Sequence, residues 1–286
     1  MLRAQVWEAC LLGGAPSAVV GHCTAALADP ALDDRESATL YAQRGSARAT
    51  QDDWQESMAD LTHAIELDPG QSLALLGRGI ALVNRGQPEH GISDLTAFLE
   101  IEPMHAGALN ARAIAYAQTG RADAAVADFN RAVALAPDNL TLLRNRANAL
   151  RDSGNIEAAL RDYDRVLLLG GRDARVLTDR CLARLVRGDI RRALADCDSA
   201  VEMAPDDGGL VENRGLVHLK WKNWAEALTD FDMALVLNPN LVWSLYGRGI
   251  ARLRHGDTAG GTADLRAAQA ANPHVAAQLA RFGIAP

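Results

Sequence analysis

This sequence predicts an all-α array of stacked antiparallel helix pairs, on three observations. Pro69, Pro103, Pro137, Pro205, Pro239 and Pro273 fall on one ladder with a 34-residue step, and Gly171 takes the missing rung. Small residues recur in phase with that ladder, with large apolar residues between them. The chain is 286 residues long, 49% hydrophobic and only 5% aromatic, which suits an array that buries surface between neighbours rather than in one core.

When each repeat is counted from 1 with the proline at position 32, the units begin at Ala38, Ser72, Ala106, Leu140, Ala174, Gly208 and Val242. Position 8 is then Gly45, Gly79, Ala113, Ala147, Cys181, Gly215 and Gly249. Position 20 reads Ser57, Gly91, Ala125, Ala159, Ala193, Ala227 and Gly261, and position 27 is small in most copies. Positions 4, 7, 8 and 11 share a stripe on a first helix, and positions 20, 23, 24 and 27 share one on a second. Glycine or alanine on facing stripes lets two helix axes come close. Glycine at position 15 (Gly86, Gly120, Gly154, Gly188, Gly256) breaks the chain between the helices. The proline at 32 stops the second helix, since it biases the residue before it away from α.

Small residues at 8, 20 and 27 on a 34-residue period resemble the tetratricopeptide repeat family, over at least Ala38–Pro273. The resemblance implies a right-handed superhelical solenoid of about eight helix pairs that binds protein or peptide partners in a concave groove.

Taken in order, residues 1–37 read as a degenerate capping repeat followed by an insertion. Ala18–Pro30 aligns with Ala125–Pro137, Val6–Leu12 forms a shortened first helix, and Gly13-Gly14 with Pro16 makes the turn. The step from Pro30 to Pro69 is 39 residues, so ALDDRES holds five extra. Residues 38–273 are seven full repeats without a linker. Residues 274–286 read as a C-terminal capping helix, with Val275, Leu279 and Phe282 on one face.

A second periodicity is charged. Position 7 is arginine in every repeat (Arg44, Arg78, Arg112, Arg146, Arg180, Arg214, Arg248), where the family pattern prefers an apolar residue. Position 23 is aspartate in every repeat (Asp60, Asp94, Asp128, Asp162, Asp196, Asp230, Asp264). Both lie on stripes where helices meet, which predicts a structural ladder of partly buried pairs holding repeat register. The alternative is a set of solvated surface pairs worth little each.

The binding face is expected where packing leaves residues over, at positions 2, 5, 6, 9 and 12 of the first helices. Its candidate partner-binding residues are Arg144, Asn145, Asn148, Arg151, Arg175 and Asn213 in a polar centre, with Trp243, Tyr246 and Ile250 at an apolar end. Arg144 and Arg151 stand two turns apart with Asn148 between them, a spacing able to hold a carboxylate or a peptide backbone. The plain alternative is ordinary solvated groove residues. The carboxylate clamp of chaperone-binding members is not reproduced, because Asp179, Gly209 and Asn213 stand where asparagine, lysine and arginine belong. The aromatic end would anchor a partner helix, be covered by the C-terminal helix, or mediate homo-oligomerisation.

Several classes are disfavoured. Net charge is −7, with 29 basic residues dispersed among 36 acidic ones, which argues against nucleic acid as the partner. No run of 18 apolar residues predicts a membrane span. The histidines are scattered, so no enzyme activity, metal or cofactor is expected. The four cysteines form two pairs, Cys10 with Cys23 and Cys181 with Cys197. They suit either small buried hydrophobes in a reducing compartment or disulfides across helix hairpins. The chain as written fits the cytoplasm, and the periplasm if a signal peptide has been removed.

Overall fold

The computed structural model describes the backbone of residues 2–285 and the side chains of residues 7–285; Met1 and Pro286, at the ends of the two expected caps, lie outside the described residues. Among these residues all regular structure is helical, in 17 helices. Two compact units divide within α9 (Leu140–Asp152), the first running to Asn145 and the second starting at Arg146.

In the first unit, α1 (Leu2–Leu11) packs on α2 (Pro16–Ala26), α3 (Asp34–Ala49) on α4 (Trp54–Leu67), α5 (Ser72–Asn84) on α6 (Pro88–Ile101), and α7 (Ala106–Gln118) on α8 (Ala122–Leu135). The second unit holds α10 (Ile156–Leu168), the pairs α11 (Ala174–Arg187) with α12 (Ile190–Met203), α13 (Gly208–Trp221) with α14 (Trp224–Leu237), and α15 (Val242–His255) with α16 (Thr258–Ala271). The short α17 (Val275–Ala280) then packs on α15 and α16. Helix pairs stacked one on the next are a solenoid-type architecture.

The small residues have a direct steric cause. A Cβ on Gly79 would lie 2.8 Å from Leu95 Cγ, and one on Gly215 would lie 2.8 Å from Phe231 Cε1. Position 8 is therefore small because the large side chain at position 24 of the same repeat occupies its space. Position 20 sits on the backbone of position 8: a Cβ on Gly91 would meet the Gly79 carbonyl oxygen at 2.8 Å. In α4 that place is taken by the fully buried Ser57, whose hydroxyl donates to the Gly45 carbonyl at 2.8 Å.

The break at position 15 is left-handed in all seven repeats, with five glycines at φ between 75° and 100°, and with Asp52 at 60° and Lys222 at 67°. A side chain in this region costs roughly 1 kcal/mol, less for aspartate than for most residues. Asp52→Gly is accordingly expected to raise the unfolding free energy by about 0.5–1 kcal/mol, read as a shift of the urea midpoint. An unshifted midpoint would show that Asp52 is unstrained.

Two departures from expectation have physical reasons. The first helix of repeat 1 starts at Asp34 rather than at Ala38. Asp33 accepts from the Glu36 amide and the Glu36 carboxylate accepts in return from the Asp33 amide, a capping box that converts part of the insertion into helix. The cysteines are not four separate thiols. Cys10 is bonded to Cys23 and Cys181 to Cys197, and all four are fully buried. Cys181 and Cys197 hold positions 8 and 24, so the disulfide replaces the small–large contact of the other repeats. Among the described residues no helix is long and apolar enough to cross a membrane.

Candidate functional site

Each position-7 arginine finds the position-23 aspartate of its own repeat. All seven donate through Nε and Nη2 to the two carboxylate oxygens, at 2.6–3.0 Å. The arginine side chains are 12–24% exposed and the aspartates 5–10%. This fork-to-fork arrangement uses the planar guanidinium in the one way lysine cannot match. The bonds it donates to Asp128 hold the Arg112 guanidinium above its usual pKa, against the opposing effect of burial.

The remaining nitrogen reaches backwards. Arg78 Nη1 lies 3.4 Å from the Thr62 hydroxyl and Arg112 Nη1 lies 3.1 Å from that of Thr96, both on the preceding repeat. In the second unit the same reach meets aspartate, at 2.7 Å for Arg180 to Asp164 and 2.8 Å for Arg248 to Asp232. Position 11 adds a second cation in some repeats. Arg48, Arg184 and Arg252 donate to Asp60, Asp196 and Asp264 at 2.7, 2.7 and 2.9 Å. His218 takes that place beside Asp230, 3.8 Å away. Letters at position 11 vary too much along the chain for this second cation to be visible as a repeat.

The candidate groove residues divide between the units. In the first, Asn145 donates to Asn110 at 2.9 Å, and the Arg144 Nε is buried without a hydrogen-bond partner. In the second, Asn148 accepts from the Tyr163 hydroxyl, and Arg151 spans Asp152 at 3.2 Å and Asp179 at 3.3 Å. Much of the charge that Arg151 would offer a ligand is thus met by the chain itself. Arg175 is exposed and Asn213 half-buried.

The apolar end is not open. Tyr246 is 1% and Ile250 2% exposed. Trp243 donates from Nε1 to Gln278 at 2.9 Å and packs edge-on against Phe282, with ring centroids 5.7 Å apart. The residues after Pro273 fold back over the first helices of the last repeats, and Val275, Leu279, Phe282 and Ile284 are buried there. Tyr246 and Ile250 therefore belong to the core in this structure, because burying them together with Phe282 and Ile284 removes more apolar surface from water than leaving both sets exposed.

What stays open on that face is a cavity of about 510 Å³ beside the folded-back segment. Arg151, Asp152 and Arg281 line it with polar atoms, and Leu182, Val186, Trp243 and Phe282 line it with apolar ones. Arg281 lies 3.6 Å from Asp152.

Glu212, at position 5 of α13, is 8% exposed and accepts from both the amide and the hydroxyl of Ser244 at 2.8 Å. Burial raises its pKa above the ordinary 4.5, and the two Ser244 bonds offset this in part. The native state then binds the proton more tightly than the unfolded chain. As pH rises past 4.5 the buried carboxylate progressively costs stability. Glu212→Gln keeps an acceptor for Ser244 without the charge. It is expected to be more stable than the parent at pH 7, with the advantage vanishing below pH 4, as followed by denaturation across pH. A constant difference over that range would contradict the buried-charge reading.

The tetratricopeptide repeat family's sequence profile matches residues 76–139, 144–207 and 178–241, together more than half of the chain. No curated protein matches the chain in sequence. Among solved structures, a tetratricopeptide repeat protein from Parabacteroides merdae ATCC 43184 superposes with a TM-score of 0.73 at 17% identity, over 87% of this chain and 99% of that one. The Cut9–Hcn1 hetero-tetramer of the APC/C matches at 0.67 and 16% identity, over 93% of this chain and 52% of its own. Pseudomonas aeruginosa pilF matches at 0.58 and 18%, over 71% of this chain and 92% of its own. At such identities the likeness is one of fold. Profile, period and helix-pair architecture agree, and the chain belongs to the tetratricopeptide repeat family.

Proposed function

We propose that this chain is a scaffold that holds a segment of a protein or peptide partner against the face built by the end of α9, α11, α15 and the C-terminal segment. The observation that carries this reading is the cavity lined by Arg151, Arg281, Leu182, Val186 and Trp243, which joins charged and apolar groups on one open face. A peptide offers both kinds of group at the spacing of neighbouring residues. The Arg–Asp ladder serves the scaffold and not the ligand. Each arginine is held by both oxygens of its own aspartate, Arg44, Arg78, Arg112, Arg180 and Arg248 also bond to the preceding repeat, and the ladder keeps adjacent repeats in register. Residues 38–273 are the repeat body, with residues 1–37 and 274–286 as its caps. The alternative of a self-assembling array has less support, since the apolar end it needed is covered by the chain's own C-terminal segment.

A photoreactive residue in place of Val186 tests this, with one in place of the exposed Arg161 on α10 as control. Cross-links from position 186 to one contiguous segment of another protein, absent from position 161, are expected. Identical products at both positions, or products formed only with a second copy of this chain, would overturn the reading.

A further inference from the structure

A second cavity, of about 310 Å³, is lined in part by Gly283, Ile284 and Ala285 of the folded-back C-terminal segment. Lys220, Lys222 and Arg254 line it together with Trp224, Ile250 and Ile284, and among the described residues no carboxylate does. Three cations gathered in a chain of net charge −7 call for an electrostatic reason.

Their placement is particular to these repeats. Lys220 and Arg254 both hold position 13, which in the five earlier repeats is Thr50, Asn84, Gln118, Asp152 and Val186. Lys222 holds position 15, where five repeats have glycine, and it does so at φ 67°. A lysine kept in a backbone conformation that glycine adopts without strain points to a use for its side chain. Lys222 and Arg254 are exposed and form no ion pair among the described residues. Lys220 spends one bond on the Leu185 carbonyl, at 2.8 Å, and burial lowers its pKa, so it too gains from an added negative charge. Trp224, Ile250 and Ile284 supply an apolar wall within the same cavity.

We infer that Lys220, Lys222 and Arg254 form a subsite for an acidic peptide segment, one whose carboxylates alternate with aliphatic side chains. This deepens the scaffold reading and rests on it, because the C-terminal segment lines both cavities. The carboxylates meet the cations, and the aliphatic groups meet the half-buried Trp224. Anions without aliphatic groups, such as inorganic phosphate, share only the first half of that chemistry.

The probe is a fluorescein-labelled hexapeptide of alternating glutamate and leucine, read by anisotropy on the full chain. Controls carry glutamine for glutamate, or serine for leucine, and inorganic phosphate serves as competitor. Binding at least tenfold tighter than for either control peptide is expected. Lys222→Gln with Arg254→Gln should lower that affinity at least tenfold, and both sites are exposed, so folding is preserved. Lys222→Glu with Arg254→Glu should in turn prefer a lysine–leucine hexapeptide. Equal affinity for the glutamine peptide, or undiminished binding by the double glutamine variant, overturns the proposal. So does displacement by phosphate that leaves the serine peptide as good as the leucine one. Partner cross-linking at position 186 that persists in a chain failing these tests refutes the acidic subsite alone. Failed cross-linking together with specific acidic binding refutes the partner face at Val186 and supports the subsite.

Discussion

Replacing Asp196 with alanine is expected to lower the unfolding free energy by about 3 kcal/mol. Its side chain is 5% exposed, and it accepts from Arg180 at 2.9 and 2.6 Å and from Arg184 at 2.7 Å. Truncating one partner of a buried pair typically costs ~3–5 kcal/mol, mainly by leaving the other charge without compensation. Here two guanidiniums lose their shared carboxylate, but Arg180 keeps Asp164 at 2.7 Å and both retain some solvent, 16% and 15%, which favours the lower end of that range. Arg184 is held below its usual pKa by burial, so removing the aspartate acts on a cation that is already poorly solvated. Chemical denaturation measures the total effect. Hydrogen exchange at α11 and α12 measures the local one, because stability in stacked repeats is partly local. A loss below about 1 kcal/mol would place Asp196 among ordinary surface ion pairs.

The second large effect belongs to the α11–α12 disulfide. Cys181→Ala with Cys197→Ala is expected to cost about 3 kcal/mol, the loop-closure value for a ring of this size, since the bonded residues are 16 apart. The same change at Cys10 and Cys23 should matter less to the array, because it loosens only the terminal pair α1–α2, which is flanked by repeats on one side. Cys181→Ala with Cys197→Phe, which copies the Ala113–Phe129 contact of α7 and α8, is expected to recover part of the loss by refilling position 24. Titration of the unreduced, unfolded chain should find no free thiol, whereas four would refute both bonds.

The repeat architecture was legible because steric need wrote the same letters 34 residues apart. Gly79 and Gly215 are small for one reason, the Leu95 and Phe231 side chains opposite them. The Arg–Asp pairing was equally visible, since each partner lies 16 residues from the other in every copy. The backward reach from Arg180 to Asp164 was not, because the receiving residue changes from threonine to aspartate along the chain. The longer α3 was signalled by Asp33 and Glu36 at capping-box spacing, outside the repeat register. The cysteines were ambiguous because a buried position 8 accepts a thiol as readily as half a disulfide.

The binding face was the least legible part. Periodicity marks which side of a first helix faces away from its own packing, but not whether another segment returns to cover it. Tyr246 and Ile250 meet Phe282 and Ile284 through a reversal of the chain that no repeat encodes. The basic cavity at Lys222 likewise depends on a break from the pattern, a lysine where glycine recurs.

A double-mutant cycle on Arg112 and Asp128 tests most directly whether the charged ladder is part of the scaffold. The two are joined by bonds of 2.7 and 3.0 Å, with side chains 12% and 6% exposed. A coupling energy of about 2 kcal/mol is predicted, within the range of closely interacting sites. Coupling below about 0.5 kcal/mol would make the pair a solvated ornament of the surface and contradict the role given to all seven.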